Sequence, residues 1–119
     1  MVALTFVANP AHALDLDIRT GSFPLSSSDP SAVQDGNVST FKKVEFEPPF
    51  EGVSQITVIP MVQTFNGFQT PGIRIAEVNK YGFKIRINEL TVKNRDPEAR
   101  SLSDGTHLTE TIGWFAFGS

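Results

Sequence analysis

Apolar and polar residues alternate along most of the chain with the two-residue period that is typical of β-strands. In residues 14–19, for example, every second residue is apolar and the residues between them are charged. Turn-forming residues separate the alternating stretches, and helical periodicity is almost absent. The pattern therefore predicts an all-β protein, a single antiparallel β-sandwich of six or seven strands that spans residues 1–119. The predicted strands cover residues 14–19, 40–46, 53–62, 72–78, 82–92 and 109–117, with a further one at residues 2–8.

Two of the predicted strands are apolar on both faces. In residues 53–62 the side chains of Ile59 and Met61 lie on the face opposite the main apolar row, and Phe115 does the same in the last strand. Because one sandwich core covers only one face of each sheet, the second apolar face predicts contact with another subunit. Pro60 has no N–H group to give to a neighbouring strand, so we expect its strand at a sheet edge or at a bulge.

Two stretches have the composition of long loops, residues 24–39 and residues 93–107, and loops of that length are usually functional or mobile. In the first of them Asp35 begins an Asp-Gly-Asn sequence, which suits either a ligand-binding loop or a tight turn, and the residues leave both open. Residues 11–13, Ala-His-Ala, resemble a signal-peptide cleavage site. A strand at residues 2–8 is the better interpretation, because the apolar run is short and no positively charged region precedes it.

Composition and charge exclude several classes of function. A net charge of −3 without a basic stripe argues against a nucleic-acid-binding protein, and no stretch reaches the roughly 18–20 apolar residues of a membrane span. The absence of cysteine excludes disulfides, thiolate zinc sites and cysteine nucleophiles. His12 and His107 are expected to be solvated loop residues rather than metal ligands. Since no catalytic constellation is evident, we expect a binding protein rather than an enzyme, without a cofactor or metal.

A row of polar residues lies opposite the apolar row of two neighbouring predicted strands. It contains Arg74 in the first strand and Lys84, Arg86 and Asn88 in the second. If the two strands form a hairpin across residues 79–81, the row becomes one polar patch. A solvated sheet face is the common interpretation of such a row. A sugar-binding surface is the alternative, because guanidinium and amide groups offer fixed hydrogen-bond geometry to hydroxyl groups.

The alternation in the second of these strands slips by one residue after Ile87. The next apolar residues, Leu90 and Val92, are at even-numbered positions, like the polar residues before them. A β-bulge at Asn88 and Glu89 would give two residues to one partner position and return Leu90 and Val92 to the core. The slip therefore predicts a bulge whose two residues face either a ligand or solvent.

Four short motifs follow one another in an order that resembles the H-type lectin domain, the fold of snail agglutinins and of the discoidin C-terminal domain. The resemblance covers nearly the whole chain, and it depends on the order and spacing of the motifs, since each one is short. The motifs are Gly21-Ser22, the segment from Phe46 to Phe50, Gly82-Phe83 and Trp114.

The resemblance implies a small antiparallel β-sandwich that forms trimers, often stacked into hexamers, and binds galactose or N-acetylgalactosamine near subunit contacts. It assigns sugar contacts to Asp35 in the first long loop and to Arg74, and it gives Trp114 a packing role in the last strand. At the positions of the family's Trp-His pair this chain has Leu90 and Thr91.

The sequence thus predicts a carbohydrate-binding module, in an extracellular or surface-exposed location such as a virion surface. The alternative is a structural, oligomerising module of the phage tail-fibre type that has lost sugar binding. The predicted ligand-binding residues are Asp35, Arg74, Asn88 and Glu89.

Overall fold

The structure is a computed structural model that describes residues 16–28, 36–92, 101–103 and 105–119. These residues contain strands and connecting segments but no helix, which confirms the all-β class. The strand predicted at residues 2–8 lies outside them. The strands are β1 (Asp17–Ser28), β2 (Lys42–Glu45), β3 (Ile56–Val62), β4 (Thr70–Asn79), β5 (Gly82–Val92), β6 (Ser101–Ser103) and β7 (Thr106–Gly118).

The strands form two antiparallel sheets. In sheet I the order is β1-β7-β3, and in sheet II it is β2-β5-β4, with β6 paired to the far end of β5. Leu90 of β5 pairs with Thr70 of β4 on one side and with Ser103 of β6 on the other. β6 therefore shares an edge of β5 with β2, and a gap separates these two short strands along that edge.

The core lies between the two sheets and follows the alternation of their central strands. From β5 it receives Phe83, Ile85 and Ile87, each at most 2 % exposed. From β7 it receives Ile112 and Ala116, which are fully buried, so the two sheets form a β-sandwich.

Trp114 of β7 packs against this core. Its ring centroid lies 5.7 Å from that of Phe46 and 5.3 Å from that of Phe83. Gly21 of β1 is opposite Trp114 in sheet I, and a Cβ atom there would come within 2.6 Å of the indole nitrogen. The packing role expected for Trp114 is confirmed.

Several local predictions are also confirmed. β4 and β5 form a hairpin in which Asn79 pairs with Gly82, and β3, which contains Pro60, is an edge strand of sheet I. Ile59 and Met61 point away from the core and are 49 % and 60 % exposed.

Both predicted long loops contain strand residues. Residues 24–28 continue β1, because β7 extends beside them and pairs Pro24 with Thr111 and Ser28 with Thr106. In the second stretch, residues 101–103 form β6 and β7 already begins at Thr106. Pairing with a long neighbouring strand has overridden the polar composition of these segments.

The predicted bulge at Asn88 and Glu89 is wrong. The β4–β5 register runs without interruption from the Thr70–Leu90 pair onward, and it shifts only between Ala76 and Asn79, near the hairpin turn. Leu90 does not return to the core and is 43 % exposed. It packs over Gly72 of the neighbouring strand, where a Cβ atom would lie 2.8 Å from Leu90 Cδ2. The absence of a side chain at Gly72 therefore leaves room for Leu90.

Replacing Gly82 with alanine should destabilise the fold strongly. A Cβ atom at this position would lie 2.0 Å from the carbonyl oxygen of Val44, so β2 would have to move away from β5. We expect Gly82→Ala to lower the free energy of unfolding by about 2–3 kcal/mol or more in denaturant titrations. Gly113→Ala is the matched control, because its Cβ would meet only the flexible side chain of Gln63 at 3.1 Å. Equal losses in the two variants would contradict this account.

Candidate binding face of sheet II

The outer face of sheet II, which is the side turned away from the core, brings together the four residues of the polar row singled out in the sequence: Arg74, Lys84, Arg86 and Asn88. Arg74 of β4 and Arg86 of β5 are direct cross-strand partners. Asn88 lies two residues along β5 from Arg86 and so projects from the same face. Glu89 projects from the opposite face, and Asp35 lies outside the described residues.

Arg86 and Asn88 are buried, each only 3 % exposed, so the interpretation as a solvated face is wrong for them. Arg86 Nε donates to Asn88 Oδ1 at 2.9 Å and Nη1 donates to Thr40 Oγ1 at 2.7 Å. Nη2 donates to the carbonyl oxygen of Gly105. Thr40 precedes β2 and Gly105 follows β6, so the guanidinium bridges the gap between those two strands. A buried charge is costly unless it is hydrogen-bonded in this way.

Arg74 is exposed, in contrast to its cross-strand partner. Among the described residues it makes no hydrogen bond or ion pair, so its guanidinium donors are available to a ligand. Like charges directly opposite each other on neighbouring strands are unfavourable, and the Arg74–Arg86 pair is such an arrangement. The outer face therefore combines one fixed guanidinium with one available guanidinium.

The structure also buries a polar group that the sequence interpretation missed. Glu110 of β7 is 2 % exposed, and its Oε1 accepts hydrogen bonds from Thr64 Oγ1 at 2.7 Å and from the Asn66 backbone N–H at 3.1 Å. Glu110 is two residues before Ile112, which faces the core, so the alternation of the strand could have indicated that the Glu110 side chain points inward. The carboxylate holds a segment on which Phe65 and Phe68 are 90 % and 95 % exposed.

The expectation of a solvated loop histidine at position 107 is wrong. The His107 side chain is fully buried in β7, with Nε2 3.8 Å from Glu110 Oε2 and Nδ1 2.7 Å from the carbonyl oxygen of Leu108. The β1–β7 register explains this position. Leu25 pairs with Glu110 but Ser27 pairs with His107, so β7 carries one extra residue there, which turns His107 inward.

Other kinds of site find little support in the described parts of the chain. They hold no group of three or more histidine, aspartate or glutamate side chains placed to bind a metal ion. They also contain no helix of the length and apolarity needed to cross a membrane.

No protein-family model, curated protein or solved structure matches the chain. The geometry of its own residues therefore carries the functional argument.

The two paired arginines should differ sharply in their contribution to stability. Arg86→Met removes the donor to Asn88, Thr40 and Gly105 and leaves the buried acceptors of Asn88 and Gly105 unsatisfied, so we expect the free energy of unfolding to fall by about 2–4 kcal/mol. Arg74→Met, its cross-strand control, should change it by no more than about 0.5 kcal/mol, because the side chain is exposed. Chemical denaturation measures both values, and a similar change in the two variants would refute the proposed difference.

Proposed function

We propose that the protein is a carbohydrate-binding module whose site is the outer face of sheet II. The observation that carries the proposal is the exposed guanidinium of Arg74 beside the immobilised Arg86–Asn88 pair. Sugar hydroxyl groups both donate and accept hydrogen bonds, and planar groups held in one orientation discriminate among them. Arg86 is buried and is fixed by at least three intramolecular hydrogen bonds, so it acts as a rigid support beside the exposed Arg74 rather than as a contact to the sugar.

Leu90 adds an apolar surface to the same face. It follows Asn88 by two residues, is 43 % exposed and lies over Gly72. Sugar rings have apolar C–H faces as well as hydroxyl groups, and Leu90 offers such a face a contact next to the polar groups. In the H-type lectins this position belongs to the Trp-His pair, and an aliphatic contact takes its place in the proposed site.

The segment that follows Asp35 also supports the proposal. Thr40, five residues further along the chain, accepts a hydrogen bond from Arg86 Nη1 at 2.7 Å. Thr40 thus lies at the edge of the proposed site, and the sugar contact that the family resemblance assigns to Asp35 is part of the proposal. Glu89 projects from the other face of β5 and is no longer part of the proposed contact surface.

The ligand class that we propose is galactose or N-acetylgalactosamine, displayed on a surface glycan outside the cell or on a virion. A few hydrogen bonds on a wet surface give dissociation constants in the high-micromolar to millimolar range per site. An assembly of three or six subunits would raise the overall affinity through multivalency.

Glycan-array binding of the assembled protein tests this function. We expect the wild-type protein to retain galactose-type glycans, and we expect Arg74→Ala and Asp35→Ala each to lower the signal about tenfold or more, as the loss of a charge-assisted hydrogen bond implies. Lys42→Ala is the matched control. Lys42 is an exposed cation of β2, but it is paired with Ile85, whose side chain faces the core, so Lys42 does not project from the outer face that forms the site. Absence of any retained glycan, or variants that bind as the wild type does, would exclude the proposed site.

The second candidate function is a structural, oligomerising module without sugar binding. Its support is the outer face of sheet I, where Ile59 and Phe115 are cross-strand partners and Ile18 and Met61 lie close by, 46 % and 60 % exposed. Residues 52–73, which include β3, contain no charged residue, whereas exposed edge strands usually carry charges that prevent association. The absence of the family's Trp-His pair also favours this candidate.

Self-association should depend on this apolar face. We expect light scattering to show a trimer or hexamer for the wild type and a monomer for the double variant Ile59→Lys/Met61→Lys, because two buried, unpaired ammonium groups would oppose contact. Both residues are exposed in the single chain, so its fold should be retained. Ser54→Lys, an exposed position outside the face, serves as the control.

The outcome also separates the two candidate functions. An oligomer that binds glycans supports the lectin, and an oligomer that binds none supports the structural module. A wild-type monomer would contradict both.

A further inference from the structure

A cleft at the hairpin end of sheet II has no role in the site proposed above. Its volume is about 690 Å³, within the usual range of small-ligand pockets. β2 and the segment that follows it form one wall, and the turn between β4 and β5 forms the other. We refer to it as the hairpin cleft.

Backbone hydrogen bonds fix the two walls relative to each other. The Phe46 N–H donates to the carbonyl oxygen of Tyr81 at 2.9 Å, and the Phe50 N–H donates to that of Lys80 at 2.9 Å. At the base, Gly82 approaches the Val44 carbonyl so closely that no side chain fits. The cleft therefore exists before any ligand binds, which lowers the entropy cost of binding.

The turn side of the cleft contains an irregular backbone. Glu77 has a φ of 52°, an unfavourable conformation for a residue with a side chain, at the point where the β4–β5 register shifts. Asn79 stabilises this arrangement, because its Nδ2 donates to the Glu77 carbonyl at 3.3 Å and its Oδ1 accepts from the Tyr81 N–H at 2.8 Å. The result is that Glu77 and the Tyr81 ring both border the cleft.

Charged groups in the cleft are arranged as exposed pairs. Lys84 Nζ lies 3.2 Å from Glu77 Oε1, and Lys43 Nζ lies 3.5 Å from Glu45 Oε1. Exposed pairs of this kind are weak, so their donors and acceptors can turn to the hydroxyl groups of a ligand. With Glu47, the lining has three carboxylates against two ammonium groups, one net negative charge. An anionic ligand is therefore disfavoured.

Tyr81 supplies the apolar surface. Its side chain is 59 % exposed, and the ammonium group of Lys80, which is not part of the lining, lies 5.1 Å from the ring centroid. An exposed aromatic ring beside carboxylate and ammonium groups can hold the C–H face of a sugar while the charged groups bind its hydroxyls.

From these observations we propose that the hairpin cleft is a second ligand site that binds an uncharged sugar residue, with Tyr81 against the ring and Glu77 and Lys84 on its hydroxyl groups. The cleft lies at the hairpin end of the same outer face, but its lining includes neither Arg74 nor Leu90. Either site can exist without the other, so their failures can be told apart.

Titration of the ¹⁵N-labelled full chain with galactose, N-acetylgalactosamine and glucose, and with sialic acid as an anionic probe, tests the proposal. We expect the neutral sugars to shift the backbone amide signals of Tyr81 and Lys84 in proton–nitrogen correlation spectra, and sialic acid to leave them in place. No shift at these amides with any neutral sugar, or a larger response to sialic acid, would overturn the proposal. Shifts confined to the amides of Arg74 and Leu90 would overturn it while leaving the proposed lectin site intact.

Variants of Tyr81 then locate the contact. Tyr81→Ala should lower the affinity of the cleft for its neutral sugar about tenfold. Tyr81→Phe, which keeps the ring, should have an affinity within about threefold of the wild type. Phe65→Ala removes another exposed ring, one that is not part of the cleft lining, and should bind as the wild type does. Arg74→Ala should leave the Tyr81 and Lys84 shifts unchanged. Wild-type affinity in Tyr81→Ala, with its remaining spectrum intact, would rule out the proposed contact.

Discussion

The burial of β5 on both faces is the constraint on which the rest of the structure depends. One face carries Phe83, Ile85 and Ile87 into the core, and the other carries Arg86 and Asn88, which are almost equally inaccessible. A guanidinium in that position must be satisfied by nearby acceptors, and they come from the segment before β2 and the segment after β6 as well as from β5 itself. The same strand thus assembles the sandwich and supports the neighbouring strand β4, whose exposed Arg74 is proposed to bind sugar.

Local alternation allowed much of the fold to be predicted. It correctly predicted the face from which Ile59, Met61 and Phe115 project, because successive side chains in a strand point to opposite faces. It also predicted the β4–β5 hairpin. Burial of the outer face of β5 could not be predicted in this way. It depends on Thr40 and Gly105, which are distant from Arg86 in sequence and reach it only through the folded topology.

The misassigned bulge has a similar physical origin. A slip in the apolar pattern at Leu90 looks like a change of register, but the residue keeps its outward direction because Gly72 on the neighbouring strand leaves room for it. The real irregularity, at Glu77, produces no break in the apolar pattern and is held by Asn79. Of the four predicted site residues, Arg74 and Asn88 share a face, Glu89 does not, and Asp35 falls outside the described residues.

We propose that the protein associates with itself through the outer face of sheet I and binds its ligand on the outer face of sheet II. The most direct test of the binding claim is a crystal structure of the protein soaked with N-acetylgalactosamine. The account predicts sugar density on the outer face of sheet II, with a hydroxyl group within hydrogen-bond distance of the Arg74 guanidinium and the ring beside Leu90. A crystal in which this face is open to solvent but carries no sugar at saturating concentration would contradict it.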